Sequence, residues 1–179
     1  GTPKGVAVGH AGLPGVAAAQ RDLLKLGGDA RVLMVASPTF DASVFEMVWA
    51  VSAGAALVVA PRDVYAADAL TEFLQVQHVT AAVLTPTVLS SLDRTRLAAV
   101  RTVVTAGEDC PRELVDAWAP DRRLINAYGP SEATIWATSA PMTAGQPVGI
   151  GAPIPGMQTL VLDAGLNPAP IGVVGELYL

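Results

Sequence analysis

The sequence predicts an α/β fold with a mostly parallel, doubly wound (flavodoxin-like) sheet and helices on both faces. Three observations predict it. Short apolar runs containing β-branched residues alternate with segments in which apolar residues recur at helical spacing. Glycine or proline stands at most of the junctions. Hydrophobic residues make up 51% of the 179 residues, which is enough for one well-packed core. Such alternation is typical of parallel sheets covered on both sides.

The first half of the chain contains two helix–strand pairs. Helical spacing over 11–26 stops at Gly27-Gly28, and a second helix over 43–54 closes at Gly54. Each helix is followed by a short apolar run, and the two runs predict buried strands over 31–36 and 55–60.

The second half continues the alternation with three more helices and three more strands. Pro86 and Pro111 stand where two of these helices begin, a position that proline tolerates because its missing N–H is not needed there. The helices are predicted over 66–78, 86–92 and 111–118, and the strands over 81–85, 101–107 and 124–128.

The composition changes after about residue 145. The remaining segment is rich in glycine and proline, has no helical pattern, and contains strand-like runs such as "QTLVLD". We therefore expect an α/β subdomain over 1–145, followed over 146–179 by the first strands of a truncated, β-barrel-like subdomain.

Charge and composition exclude several classes of function. The net charge is −5 and basic residues do not cluster, so we expect no nucleic-acid partner. No apolar run approaches the ~18 residues needed to cross a bilayer, so no membrane association is expected. The chain has one cysteine, Cys110, which excludes an intrachain disulfide and suits a reducing, cytoplasmic location.

Polar or turn-forming residues follow four of the predicted strands. Ligands of open parallel sheets bind outside the carboxyl ends of the strands, where loops and helix N-termini converge. Carboxylates beside an aromatic ring and backbone amides could hold a nucleotide and its Mg²⁺, which prefers oxygen ligands. The residues expected around this crevice are Asp41, Thr85, Gly107, Glu108, Asn126, Tyr128 and Glu132.

Four motifs at these loops resemble one protein family. They are "GTPKG" (1–5), "FDASVFEM" (40–47), "NAYGPSEAT" (126–134) and "GELYL" (175–179), in that family's order and spacing. The chain resembles the amino-acid-activating adenylation domain of nonribosomal peptide synthetases. The resemblance implies that a carboxylate is activated with ATP and Mg²⁺ to an aminoacyl adenylate. The acyl group then passes to the phosphopantetheine thiol of a peptidyl carrier protein.

The resemblance also implies a nucleotide site. Tyr128 would stack on the adenine, Asn126 would hydrogen-bond its amino group, and Gly107 with Glu108 would border the ring through the backbone. Ser131 would face the α-phosphate in place of the family's usual threonine, since either hydroxyl can donate. The metal ligand would be Glu132. The nucleotide-binding residues implied in this way are Lys4, Gly107, Glu108, Asn126, Tyr128 and Ser131.

A second implied site is the pocket for the amino acid. Asp41 would pair with the α-ammonium group. Every other member is apolar, and only Trp136 carries a side-chain donor, so we expect a hydrophobic substrate. Small alanines favour a phenylalanine-like side chain, with a leucine- or valine-like one as the alternative. The pocket residues are Asp41, Ala42, Phe45, Val83, Val104, Ala106, Ala127, Ile135 and Trp136.

The family's catalytic lysine is expected beyond Leu179, so this chain should hold no catalytic residue and be nearly inactive alone. Local sequence leaves other roles open. Asp41 could cap a helix, Ser131 and Glu132 could open one, and Tyr128 could be a half-buried core residue. Alternative functions are an acyl-coenzyme A ligase, in which Asp41 would face an uncharged acyl chain, or a non-catalytic, swappable subdomain.

Overall fold

The computed structural model describes residues 4–179, and its elements follow the predicted alternation. The α-helices are α1 (Leu13–Ala19), α2 (Ala42–Ala53), α3 (Ala67–Val76), α4 (Pro86–Ser90) and α5 (Arg112–Trp118). The strands are β1 (Arg31–Met34), β2 (Ala56–Val59), β3 (Ala81–Leu84), β4 (Thr102–Thr105), β5 (Arg123–Tyr128), β6 (Thr138–Met142), β7 (Ala152–Pro153), β8 (Leu160–Leu162) and β9 (Glu176–Tyr178).

The main sheet of the described chain has seven strands in the order β2-β1-β3-β4-β5-β6-β7. The first five are parallel and have the flavodoxin-like order, while β6 and β7 pair antiparallel at one edge. The predicted α/β class with a mostly parallel sheet is therefore confirmed. Strands β8 and β9 form a separate antiparallel pair. Because β7 belongs to the main sheet, the subdomain division at residue 145 stays a prediction.

Each face of the sheet has its own hydrophobic cluster. On one face, α3, α4 and α5 supply Leu70, Leu89 and Trp118 to a buried cluster. On the other face, α1 and α2 supply Ala19 and Trp49 to a second cluster. Successive residues of a strand point to opposite faces, so strands β1 to β5 contribute to both clusters. The helices therefore lie on both faces, as predicted.

Two local features differ from the expectations. The helix predicted over 11–26 is observed as a 3-10 turn (His10–Gly12), α1, and a π-helical segment (Gln20–Leu24). It ends where Lys25 adopts a left-handed conformation, at φ 49°. Strand β6 was not predicted, because it contains Pro141 and few β-branched residues.

Among residues 4–179, no helix has the length and apolar character that crossing a membrane requires.

Candidate functional site

The parallel register brings the predicted pocket strands side by side. Val83 of β3 pairs with Val104 of β4, and Val104 pairs with Ile125 of β5. Residues in register on neighbouring strands point to the same face. That face carries α2, so the loops after β1, β3, β4 and β5 open at one edge above a shared apolar wall.

Seven of the nine predicted pocket residues meet in this wall. Five of them are buried in one cluster, and the other two are partly buried against it. The Phe45 ring makes edge-on contacts with two tryptophans, at centroid distances of 5.9 Å to Trp49 and 5.4 Å to Trp136. The seven are Phe45, Val83, Val104, Ala106, Ala127, Ile135 and Trp136.

The one side-chain donor of this group is already used. Trp136 Nε1 donates to the carbonyl oxygen of Thr138 at 2.8 Å. A ligand packed against the wall would therefore meet carbon surface from these side chains and would not have to satisfy a buried N–H group.

Asp41 and Ala42, the other two predicted pocket residues, lie half-buried where α2 begins. Asp41 occupies the N-cap position but has helical backbone angles, φ −64° and ψ −21°, and its side chain makes no capping hydrogen bond. N-cap residues normally have extended angles that let the side chain reach the helix N–H groups. The capping role considered from local sequence is therefore not what the Asp41 carboxylate does.

Asn126 is buried, and both ends of its amide are engaged. Its Nδ2 donates to the Gly149 carbonyl at 3.0 Å, and its Oδ1 accepts from the Thr105 hydroxyl at 3.2 Å. The first bond joins β5 to the segment before β7, and the second joins β5 to β4. A carbonyl oxygen has two lone pairs and an amide nitrogen two hydrogens, so each end retains one further hydrogen-bonding position. The predicted contact with adenine stays a prediction.

The loop after β4 is held by a carboxylate. Glu108 accepts from the Thr87 backbone N–H at 3.0 Å and from its hydroxyl at 2.6 Å. The Thr87 hydroxyl, followed by its N–H, holds the pKa of Glu108 below its usual value. Gly107 has φ +85°, which favours glycine. Because the Glu108 side chain is tied to α4, the backbone of this loop is what remains to face a ligand.

Thr85 has a structural role at the start of the same helix. It is the N-cap of α4, and its hydroxyl accepts from the Val88 N–H at 3.3 Å.

Tyr128 ends β5 with 42% of its surface exposed, so it is not a core residue and its ring is accessible at the sheet edge.

The segment after Tyr128 folds back tightly on the strand. Ser131 and Glu132 lie in a 3-10 turn rather than a full helix, half-buried and exposed respectively. Thr134 and Ile135 then have φ of 58° and 74°, angles that are rare for β-branched residues. A Cβ added at Gly129 would lie 2.7 Å from the Ala137 nitrogen, so only glycine fits against the returning chain.

A single carboxylate is what the structure offers to a metal ion at this loop. Among residues 4–179, no group of three or more His, Cys, Asp or Glu side chains converges as a complete metal site. Mg²⁺ in nucleotide enzymes is commonly held by one or two carboxylates together with substrate phosphates. The exposed Glu132 beside the Ser131 hydroxyl fits that incomplete kind of site.

Lys4 is exposed at the start of the described chain. The first three residues of its motif, at positions 1–3, lie outside the described residues.

Two surface concavities lie away from the apolar wall, one of about 320 Å³ along β2 and one of about 490 Å³ between α4 and α5. Of the predicted site residues only Glu108 lines either of them.

Sequence reasoning missed two buried polar residues behind the pocket wall. Glu46 of α2 is fully buried and accepts hydrogen bonds from the N–H groups of Val35 and Ala36. Burial raises the pKa of Glu46 to about 7, and the two N–H donors oppose the rise. Gln20 is also fully buried, and its Nε2 donates to the Phe45 carbonyl at 2.9 Å. The one sequence signal was a lone charge among the apolar residues of α2.

Comparisons with known proteins agree with this architecture. Residues 1–179 match the family described as AMP-binding enzyme. The chain is 48% identical to novobiocin biosynthesis protein H of Streptomyces niveus, over all of the chain and 30% of that protein. It is 47% identical to the probable non-canonical nonribosomal peptide synthetase CymA of Salinispora arenicola, again over all of the chain but 2% of that protein. The chain thus spans less than a third of these relatives.

Solved structures resemble the chain closely in fold. One is holo-AB3403, a four-domain nonribosomal peptide synthetase bound to AMP and glycine, with a TM-score of 0.88, 27% identity, and coverage of 98% of this chain and 14% of that one. Another is the synthetase FmoA3 in its α-methyl-L-serine-AMP bound form, with a TM-score of 0.88, 29% identity, and coverage of 98% and 22%.

Proposed function

This chain belongs to the AMP-binding enzyme family, and on that premise we propose that it is the specificity-bearing part of an adenylation domain for a hydrophobic α-amino acid. The complete enzyme would activate that amino acid with ATP to an aminoacyl adenylate. A phenylalanine-like side chain is favoured, with a leucine- or valine-like one as the alternative.

One observation carries this proposal: an apolar wall with a carboxylate at its edge. Seven apolar residues cluster on the face that α2 covers, and Asp41 stands at the start of α2 without a capping bond. A carboxylate suits an α-ammonium group, since a charge-assisted hydrogen bond is stronger than a neutral one. The wall suits a side chain without polar atoms, because the Trp136 N–H already has its acceptor.

The nucleotide would lie along the loops after β4 and β5. Tyr128 offers an accessible ring for the adenine, Asn126 keeps one free position at each end of its amide, and Ser131 offers a hydroxyl to the α-phosphate. Mg²⁺ held by Glu132 and the ATP phosphates would neutralise phosphate charge. The acyl group would then pass to phosphopantetheine on a peptidyl carrier protein.

The relatives support the proposal without settling the substrate. One structural neighbour binds AMP with glycine, another binds α-methyl-L-serine-AMP, and a further FmoA3 structure binds AMPPNP. An acyl-coenzyme A ligase is the alternative that Asp41 disfavours, because a half-buried carboxylate beside an uncharged acyl chain would lose hydration without compensation.

The test is amino-acid-dependent ATP–pyrophosphate exchange. Because the chain spans 30% of novobiocin biosynthesis protein H, it should replace the corresponding segment of a competent full-length adenylation enzyme. We expect exchange with hydrophobic amino acids and its loss in Asp41→Ala. The matched control is Asp68→Ala, which removes an acidic residue from the first turn of α3, away from the site. Equal activity of the two variants would remove Asp41 from the proposed pocket.

A further inference from the structure

Glu46 is a fully buried carboxylate to which the proposed reaction assigns no role. It lies in the second turn of α2 and reaches back to the end of β1. Its Oε1 accepts from the N–H groups of Val35 and Ala36 at 3.3 Å each, and its Oε2 accepts from Ala36 at 3.3 Å. One side chain therefore fastens the first two residues after β1 to the helix that follows.

The segment closed by this contact is the loop that ends in Asp41. Within it, the Phe40 N–H donates to the Ser37 carbonyl at 2.9 Å. At its far end, the Ser43 hydroxyl donates to the Phe40 carbonyl at 2.8 Å. The loop is thus held to α2 at its start by Glu46 and at its end by Ser43. Asp41 lies in the sequence between these two attachments.

Glu46 has no partner of opposite charge in the described part of the chain. The described ion pairs join Arg112 to Asp116 and Arg122 to Asp121, and neither includes Glu46. A buried carboxylate without a cationic partner loses its hydration, and the two N–H donors at 3.3 Å compensate only part of that loss. Groups that cost stability concentrate at functional sites, where the surrounding structure maintains them.

We propose that Glu46 is a positioning residue for amino-acid binding, which holds the loop after β1 so that Asp41 meets the substrate ammonium. The inference rests on the proposed function. It extends that function to a residue that would touch neither amino acid nor nucleotide. The loops after β4 and β5, which would hold the nucleotide, are not fastened by Glu46, so its loss should affect the two substrates differently.

The test compares KM for the amino acid with KM for ATP in the full-length chimeric enzyme. Glu46→Ala should raise the amino-acid KM about tenfold or more, as expected for losing hydrogen bonds to a charged group, and leave the ATP KM within about twofold. Glu46→Gln should retain most of the affinity for the amino acid that Glu46→Ala loses, because one oxygen at the Oε1 position can accept from both N–H groups. A merely structural residue would instead reduce the fraction of active enzyme.

Two further variants keep the test decisive. If Glu46→Ala does not fold, Glu46→Asp keeps the charge on a side chain one methylene too short to reach both N–H groups, and the same selective rise is expected. Thr71→Val is the matched control, since Thr71 is a buried polar residue on α3 that donates to the Ala67 carbonyl at 3.0 Å. It should leave the amino-acid KM within about twofold.

The possible outcomes distinguish a failure of the positioning role of Glu46 from a failure of the proposed function. In an Asp41→Asn background, Glu46→Ala should raise the amino-acid KM little further, because the effects of substituting two residues that act through each other are not additive. Unchanged amino-acid KM in Glu46→Ala, an equal rise in both KM values, or full additivity with Asp41→Asn would each overturn the inference. An inert parental chimera would overturn the proposed function, and the inference with it.

Discussion

The buried carboxylate of Glu46 predicts an unusual dependence of stability on pH. Its pKa is about 7 in the folded chain, against an ordinary value of 4.5, because burial disfavours the charged form. A folded-state pKa above the unfolded value means that the folded chain keeps a proton that the unfolded chain releases. Stability from this group is therefore present below about pH 4.5 and is lost as pH rises toward 7.

The magnitude follows from the two pKa values. A rise from 4.5 to about 7 corresponds to roughly 3 kcal/mol, of which roughly 2–3 kcal/mol falls between pH 5 and pH 8. The glutamine in Glu46→Gln cannot ionise, so the variant should lack this pH-dependent contribution to the unfolding free energy. The difference in unfolding free energy between Glu46→Gln and the parent should therefore move in favour of the variant by roughly 2–3 kcal/mol from pH 5 to pH 8.

Urea unfolding of the parent and the variant at several pH values measures this difference directly. The control is Glu72→Gln, the same chemical change at an exposed position of α3, which should follow the parent profile. Parallel profiles for Glu46→Gln and the parent between pH 5 and pH 8 would refute the reasoning, because they would mean that Glu46 ionises alike in both states.

Two further predictions concern the loops at the sheet edge. Gly129→Ala should destabilise the chain by about 1–3 kcal/mol in urea unfolding, because the new Cβ would lie 2.7 Å from the Ala137 nitrogen. Gly15→Ala, whose Cβ would meet nothing within 4 Å, should be neutral or stabilising, and equal losses would contradict the packing argument. Thr87→Val should raise the pKa of Glu108 toward its usual value, since the hydroxyl bond of 2.6 Å is the main cause of its depression. Carbon-detected NMR titration measures that change, and an unchanged Glu108 pKa would be the contrary result.

Much of the fold was predictable because local pattern and tertiary structure agree. The alternation of apolar runs with helical segments predicted the first five strands, and glycine marked the end of α2 at Gly54. The apolar residues of the predicted pocket also lie together, since register places Val83 and Val104 side by side on one face. Strand β6 was missed because its own composition does not favour a strand. Its extended conformation is stabilised by antiparallel pairing with β5.

The polar interior could not be predicted in the same way. Whether Glu46 is buried depends on how α2 packs on β1, and a single charge in a helix is ordinarily solvent-exposed. The positive φ angles of Thr134 and Ile135 arise from a tertiary fold-back against Gly129. Both features depend on contacts between separate segments that meet only in the folded chain, and sequence periodicity does not report such contacts.

The most direct test of the proposed substrate class is a panel of amino acids in ATP–pyrophosphate exchange with the full-length chimeric enzyme. We expect exchange with phenylalanine-like or large aliphatic amino acids, and little with charged or hydroxylated ones, because the seven residues of the wall, which include Phe45 and Trp136, offer no free side-chain polar group. Exchange confined to polar amino acids would contradict the pocket. No exchange with any amino acid in a folded chimera would contradict the proposed activation of an amino acid itself.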